Sequence, residues 1–310
     1  MDRFLIIAGP TAGGKSRLAV EVAHALAARG RSGEVISADS MQVYRGLDIG
    51  SAKPTGEEQA SVRHHLLDVV EPTERFTVHD WLGLAEDAIA EIRTRGAVPI
   101  VAGGTHFYIK ALLEGLFQGP EPDEALRAEL QGRPLAELRE ELERVDPVAA
   151  GRIHPNDDRR TVRALEVYRQ TGTPISELQQ QWDREKSARD DALLVGLDWP
   201  TEAINRRINA RVKQMMEQGL LEETRGLVEA GRLGEQARAG LGYKQLARHL
   251  AGGWTLDEAV EQIKIETRRF AKNQRTWLRR LRATPGSVWI DAGATDPGLW
   301  AGRVIEAWAG

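Results

Sequence analysis

FLIIAGPTAGGKSRLAVEVAHALAARG, residues 4–30, decides the fold. Phe4 to Ala8 is a continuous apolar run, the mark of a strand covered on both faces. Lys15 to Gly30 carries apolar residues at helical spacing and closes on a glycine, so it reads as a helix. Between them GPTAGGKS, residues 9–16, matches G-x-x-x-x-G-K-[ST] without a gap. A strand-to-helix junction is where that motif works. Its glycines let the backbone wrap a phosphate with N–H groups, and the helix N-terminus adds a favourable dipole. Gly9, Pro10, Thr11, Ala12, Gly13, Gly14, Lys15 and Ser16 are therefore the candidate diphosphate-binding residues, with Lys15 as a point charge and Ser16 as a Mg2+ ligand. The motif selects a diphosphate or triphosphate without saying whose; the bland alternative is a glycine-rich turn with no ligand.

Working outward, EVISA (34–38), AVPIVAGG (97–104), LLVGLDW (193–199) and SVWIDAG (287–293) read as further strands. Helices are expected at 78–96, with Thr77 as cap, and at 106–116. From QGPEPDEALR (118–127) to about 192 the pattern is helical, including a helix at 156–172 capped by Asn156 and stopped by Gly172. DREKSARDDA (183–192) reads as a solvated connector. A long helix at 255–282 opens with a capping box, Thr255 and Glu258. The fold class is thus α/β: a P-loop NTPase-like parallel sheet core flanked by helices, with an all-helical insertion domain. The expected boundaries are 1–119 for the first part of the core, 120–192 for the insertion and 193–310 for the rest.

The 310 residues, 41% apolar and 28% charged, give ample material for a core. With no cysteine, disulfides and cysteine-based zinc sites are excluded. That fits a reducing cytoplasm, and no segment approaches the roughly 20 apolar residues of a membrane helix. MDRFLIIAG is too short an apolar run for a signal peptide. Net charge is −4, so nucleic-acid binding would need a local basic patch.

In an open parallel sheet, ligands sit beyond the carboxyl ends of the strands. Gly9, Asp39, the Gly103-Gly104-Thr105 turn and Asp198 all follow strands, so they face one crevice if the strands are parallel. Asp39, in ISADSMQVYRG (36–46), has three readings: a helix cap, a magnesium-side acid of the Walker-B kind, or a proton acceptor for an incoming nucleophile. Thr105 either caps the next helix or bonds a substrate. His64 and His65 read as structural, Asp48 and Asp68 have no assignable role, and Met215 and Met216 read as packing.

KIETRRFAKNQRTWLRRLR, residues 264–282, holds eight Lys or Arg and one Glu, about +7 within one helix, with Phe270 and Trp277 interleaved. A solvated face with aliphatic stems beneath is the bland reading. Charge this one-sided in an acidic protein favours an anionic polymer. Arg159, Arg160 and Arg163 add to it. Arg207 and Arg211, four apart, share a helix face that reads either as a clamp on a leaving diphosphate or as an ordinary surface helix. One diphosphate-bearing substrate and one RNA substrate account for these features together. A kinase, an RNA-binding switch protein and an isopentenyltransferase acting on free AMP are the rivals.

At this point the chain resembles the tRNA dimethylallyltransferase family, nearly end to end. The resemblance rests on GPTAGGKS, ISADSMQVYRGLDIGSAKPT (36–55), HHLLDV (64–69), AGGTHFYIKALLEG (102–115), RRTVRALEVY (159–168), GLGYKQL (240–246) and RRFAKNQRTWLRR (268–280). It implies transfer of a dimethylallyl group from dimethylallyl diphosphate to N6 of the adenine beside the anticodon of tRNA, by a monomer. In that family the P-loop grips the prenyl diphosphate rather than ATP. By position, Asp39 would accept the N6 proton, Thr105 would contact the substrate and Arg207 would stabilise the diphosphate. The tRNA-contacting positions would be Asp39, Ser40, Met41, Gln42, Thr105, Arg127, Arg159, Arg160, Thr161, Val162, Arg163, Lys272, Asn273, Gln274, Arg275, Thr276, Trp277, Leu278 and Arg279. The helical insertion would embrace the anticodon stem-loop. His106 and Phe107 depart from the family pattern in being bulkier, and the cysteine-bearing zinc finger of eukaryotic relatives has no counterpart.

Overall fold

A computed structural model describes residues 3–117, 119–179 and 189–309. Six strands form one sheet: β1 (Phe4–Ala8), β2 (Gly33–Ser37), β3 (His64–His65), β4 (Val98–Gly103), β5 (Ala192–Asp198) and β6 (Val288–Asp291). Their order is β3-β2-β4-β1-β5-β6 and every pairing is parallel. All five β1 side chains are completely buried, as the unbroken apolar run requires of a central strand. Each of Leu5, Ile6 and Ile7 contributes roughly 1.5–3 kcal/mol by that burial.

The order matters because β4 lies between β1 and β2, although it follows both in sequence. Register pairs Ala8 with Gly103 and Ser37 with Ala102. The three strands therefore end level, and their following turns adjoin. This is the switch-point crevice of an open parallel sheet. The close approach sets the residue type: a Cβ on Gly103 would lie 2.0 Å from the Ala38 carbonyl oxygen.

Helices cover the sheet. Lys15–Ala27 buries Leu18, Ala19, Val22, Ala23 and Leu26. Val78–Thr94 opens on a Thr77–Asp80 capping box and buries Trp81, whose indole donates to Ser37 O at 2.9 Å and stacks on Tyr108. The basic helix runs Leu256–Leu281, about 39 Å long, and the Thr255–Glu258 capping box is formed. Among the described residues no helix is long and apolar enough to cross a membrane.

The chain divides into two compact units, Met1–Leu113 with Ala188–Gly310, and Glu114–Ser187. The second has its own core, built on Leu130, Leu138, Leu142, Val162, Leu165 and Val167, and its described residues contain no strand. Its helix Asp158–Thr171 corrects the expected cap. Asp157, not Asn156, accepts from the Arg160 amide, while Gly172 ends the helix in a left-handed conformation. Much of the 183–192 connector lies outside the described residues. Its end is no loose link: Arg189 pairs with Asp191 and Glu86, and Asp191 O takes the Phe4 amide at 2.8 Å.

The turn after β2 is held by polar contacts that local patterning does not reveal. Lys53, almost wholly buried, donates to Asp48, Asp68 and the Tyr44 carbonyl, which gives the two unassigned aspartates a structural role. The Glu223 carboxylate takes the amides of Asp48, Ile49 and Gly50 and the Tyr243 hydroxyl. His65 bonds Glu34 and His64 bonds Val62 O, in keeping with a structural reading of both.

Gly103→Ala is expected to destabilise the fold by at least about 2 kcal/mol, because backbone rather than a movable side chain occupies the space. Gly83→Ala, in an exposed helix interior with nothing within 4 Å, should stabilise by about 0.5–1 kcal/mol. Urea unfolding of the two variants measures both, and equal effects would contradict the packing argument.

Candidate active site

The phosphate loop is built inside out. Its carbonyls are pinned from outside: Pro10 O by Lys15 Nζ at 2.9 Å and Gly13 N at 3.1 Å, Ala12 O by Arg207 Nε at 2.8 Å, and Gly13 O by Trp199 Nε1 at 3.1 Å. With the carbonyls turned out, the amides of Ala12, Gly14, Lys15 and Ser16 have no hydrogen-bond partner among the described residues. Successive unpaired N–H groups at a helix start make an anion-binding concavity. Ala12 and Gly14 take the positive φ values of 58° and 89° that this curvature requires. Trp300 packs against Gly14 from behind and meets Trp199 edge-on.

Charge converges on this loop. Burial pushes Lys15 down to about 8, against the pull of the Asp39 carboxylate; Arg211 adds a smaller push downward. Arg211 is likewise depressed by burial, opposed by Asp39 and assisted by Arg207. It makes no hydrogen bond or ion pair among the described residues. Arg207 stacks on the Trp199 ring at 4.7 Å. Three cations and one carboxylate thus share the mouth of the cradle. The helix Thr201–Glu217 presents both arginines because Ile204, Ile208, Val212 and Met215 bury its other face.

Asp39 is not a helix cap: no helix starts there. Its Oδ1 accepts from Met41 N at 2.9 Å, while Oδ2 has no partner among the described residues. Thr105 is bound into the same turn. Its amide donates to Ala38 O, and its hydroxyl accepts from Ser40 N at 3.0 Å and lies 3.4 Å from Ser40 Oγ. Gly104 approaches closely: a Cβ there would lie 3.3 Å from Lys15 Nζ and 2.8 Å from Gln274 Nε2. His106 is buried beside this turn. Burial, with help from the Lys15 charge, lowers it to about 4, and its Nε2 has no partner among the described residues.

The basic helix divides by face. Lys272, Asn273, Thr276 and Arg279 are exposed, Arg275 reaches Thr201, and Trp277 lies between Lys110 and Arg280. Gln274 and Leu278, also expected to meet tRNA, are buried. So is Gln42, which bonds Ser37 Oγ and the Ser51 and Ala52 carbonyls. These three side chains are turned into the protein, and little of each is exposed.

In the helical unit Arg159 and Arg160 are exposed, whereas Thr161 and Val162 are core. Arg127 and Arg163 both grip Glu166, a completely buried carboxylate that also takes the Asp123 amide. A buried charge demands such partners. Sequence reading missed Glu166, Gln274's inward aim, Trp199 and Glu223, all of which act through contacts distant along the chain.

With this geometry in place, comparison with known proteins is specific. The IPP transferase family model matches residues 42–281, and the isopentenyl transferase model matches 2–74. The chain is 47% identical over 310 residues to a tRNA dimethylallyltransferase of Anaeromyxobacter dehalogenans, covering 97% of this chain and 99% of that one. It is similar to the crystal structure of a tRNA isopentenylpyrophosphate transferase from Bacillus halodurans, with TM-score 0.72, 37% identity, and coverage of 100% of this chain and 96% of that one. It is also similar to a eukaryotic dimethylallyltransferase captured acting on tRNA, with TM-score 0.83, 28% identity, and coverage of 99% and 79% respectively.

The depressed Lys15 sets a pH signature. Lys15 is charged below about 8 in the unliganded protein, and a bound anion raises its pKa. Affinity for inorganic diphosphate should therefore be full below that pH and decline as pH rises through it, approaching about tenfold per unit. Lys15→Arg keeps its charge and should lack this limb. Calorimetric titration of both proteins from pH 7 to 10 checks it; parallel profiles would show that Lys15 is not the titrating group.

Proposed function

The chain belongs to the IPP transferase family, and we propose that it transfers a dimethylallyl group from dimethylallyl diphosphate to N6 of the adenine beside the anticodon of tRNA. The observation that carries this reading is the pairing of two unlike devices in one crevice: an amide cradle ringed by Lys15, Arg207 and Arg211, and a carboxylate oxygen of Asp39 with no partner among the described residues. The first suits a leaving diphosphate. The second suits an amine that must lose a proton.

The adenine amine is a weak nucleophile because its lone pair is delocalised into the ring. As N6 bonds to C1 of the prenyl group, the C1–O bond breaks and its electrons leave with the diphosphate. Asp39 Oδ2 takes the N6 proton, while Met41 N holds Oδ1 and fixes the carboxylate plane. Charge gathering on the diphosphate meets the loop amides, Lys15 and the two arginines. Among the described residues the Ser16 hydroxyl has no partner, and no cluster of His, Asp or Glu could hold a metal ion alone. Mg2+ would thus be held by Ser16 together with the diphosphate, supplying charge neutralisation to the leaving group.

Thr105 and Ser40, bonded to each other beside Asp39, line the acceptor side. Lys272, Asn273, Thr276 and Arg279 provide an exposed cationic and polar surface for an anticodon stem-loop, and within the helical unit Arg159 and Arg160 are likewise exposed. Such binding weakens as salt rises, because it releases counterions. A base in a loop leaves its stack at a cost of a few kcal/mol at most.

Incubation of tRNA with the protein and dimethylallyl diphosphate, followed by nucleoside mass analysis, should yield isopentenyladenosine; phosphate transfer from ATP instead would support a kinase. Asp39→Ala should keep tRNA affinity and lose about 10²–10⁴-fold in single-turnover rate. Arg207→Ala and Arg211→Ala should raise the KM for the diphosphate donor more than the Kd for tRNA, and the opposite ranking would remove them from the donor side.

A further inference from the structure

Gln274 is 2% exposed, on the inward face of a helix whose outward face is basic. Its two amide atoms are both used. Oε1 accepts from Thr11 N at 2.7 Å, and Nε2 donates to Gly104 O at 2.8 Å. Thr11 belongs to the phosphate loop after β1. Gly104 belongs to the turn after β4, whose next residue, Thr105, holds Ser40 beside Asp39. One side chain from a third element therefore joins the donor-holding segment to the acceptor-holding segment. We propose that Gln274 is a positioning residue that sets the spacing between the diphosphate cradle and the Thr105–Ser40–Asp39 turn, and so between the prenyl carbon and the attacking nitrogen.

Three observations support this role over simple packing. The contact is directional at both ends, and the amide supplies the acceptor and the donor through two separate atoms without charge. The nearest atom to a Cβ built on Gly104 would be Gln274 Nε2, at 2.8 Å, so a side chain there would displace the Gln274 amide first. Substitution by an apolar residue would leave one buried donor and one acceptor with less than their due at the reaction centre. An error of about 1 Å in such a spacing costs on the order of 10²-fold in rate.

The inference rests on the transferase reading, and the test separates the two. If the wild-type protein makes no isopentenyladenosine, the function fails; if it does, the Gln274 variants decide the inference. Gln274→Met should lower kcat at saturating substrates about 30–100-fold, with tRNA Kd and diphosphate Kd within threefold of wild type. Gln274→Glu keeps an acceptor for Thr11 but can donate to Gly104 O only when protonated. Its kcat relative to wild type should therefore rise as pH falls from 8 to 5. The titratable neighbours at the junction are Lys15 and His106, with Asp39 and Arg211 beyond Lys15; all are present in both proteins, so the ratio isolates position 274. If Gln274→Met does not fold, the Gln274→Glu ratio alone decides. Loss of kcat with a rising ratio at low pH supports the positioning role. A flat ratio, or a loss confined to thermal stability or to either Kd, overturns it.

Discussion

The site depends on the phosphate loop keeping its carbonyls outward. Backbone amides point into the cradle only because Lys15, Arg207, Trp199 and a loop amide hold the opposite ends of the peptides. A loop of this curvature includes the non-glycine residue Ala12 at positive φ, which costs roughly 1–3 kcal/mol unless its surroundings enforce it. The enforcing groups include the groups that face the ligand, so binding and folding share the same hydrogen bonds.

Sheet order supplies the second constraint. Inserting β4 between β1 and β2 makes three strand ends level and brings chemistry from three distant segments into one crevice. The same crowding demands glycine at 103 and desolvates Lys15. An ammonium held near neutrality is more responsive to an incoming anion than a fully solvated one, because the anion replaces the water that burial removed.

Local devices were legible in the sequence: the strand–GPTAGGKS–helix junction, the alternation that gave a parallel α/β core, and the Thr255–Glu258 box. Each is encoded within a few residues. What stayed hidden acts at long range. Nothing near Gln274 in sequence announces Thr11, and nothing near Glu166 announces Arg127, 39 residues away. The run 272–279 was read as one contacting stretch, yet a helix turns through all directions over such a length. Ala271, Gln274, Leu278 and Leu281 recur at spacings of three and four and face the core. Face periodicity carried that signal, and a contiguous motif concealed it. Asn156 lost its capping role to Asp157 by one position, because either residue type can cap and only the path of the turn chooses.

The fully buried β1 pairs on one edge with β5, which begins nearly two hundred residues later. A ribosome adding about 5–20 residues per second leaves that edge unpaired for roughly 10–40 s. Throughout that interval the β5-facing edge of FLIIA has open hydrogen-bonding groups beside an apolar strand, a combination that invites aggregation. Pairing with β4 fills only the opposite edge, so covering this one during synthesis is a condition the mature architecture imposes on its own birth.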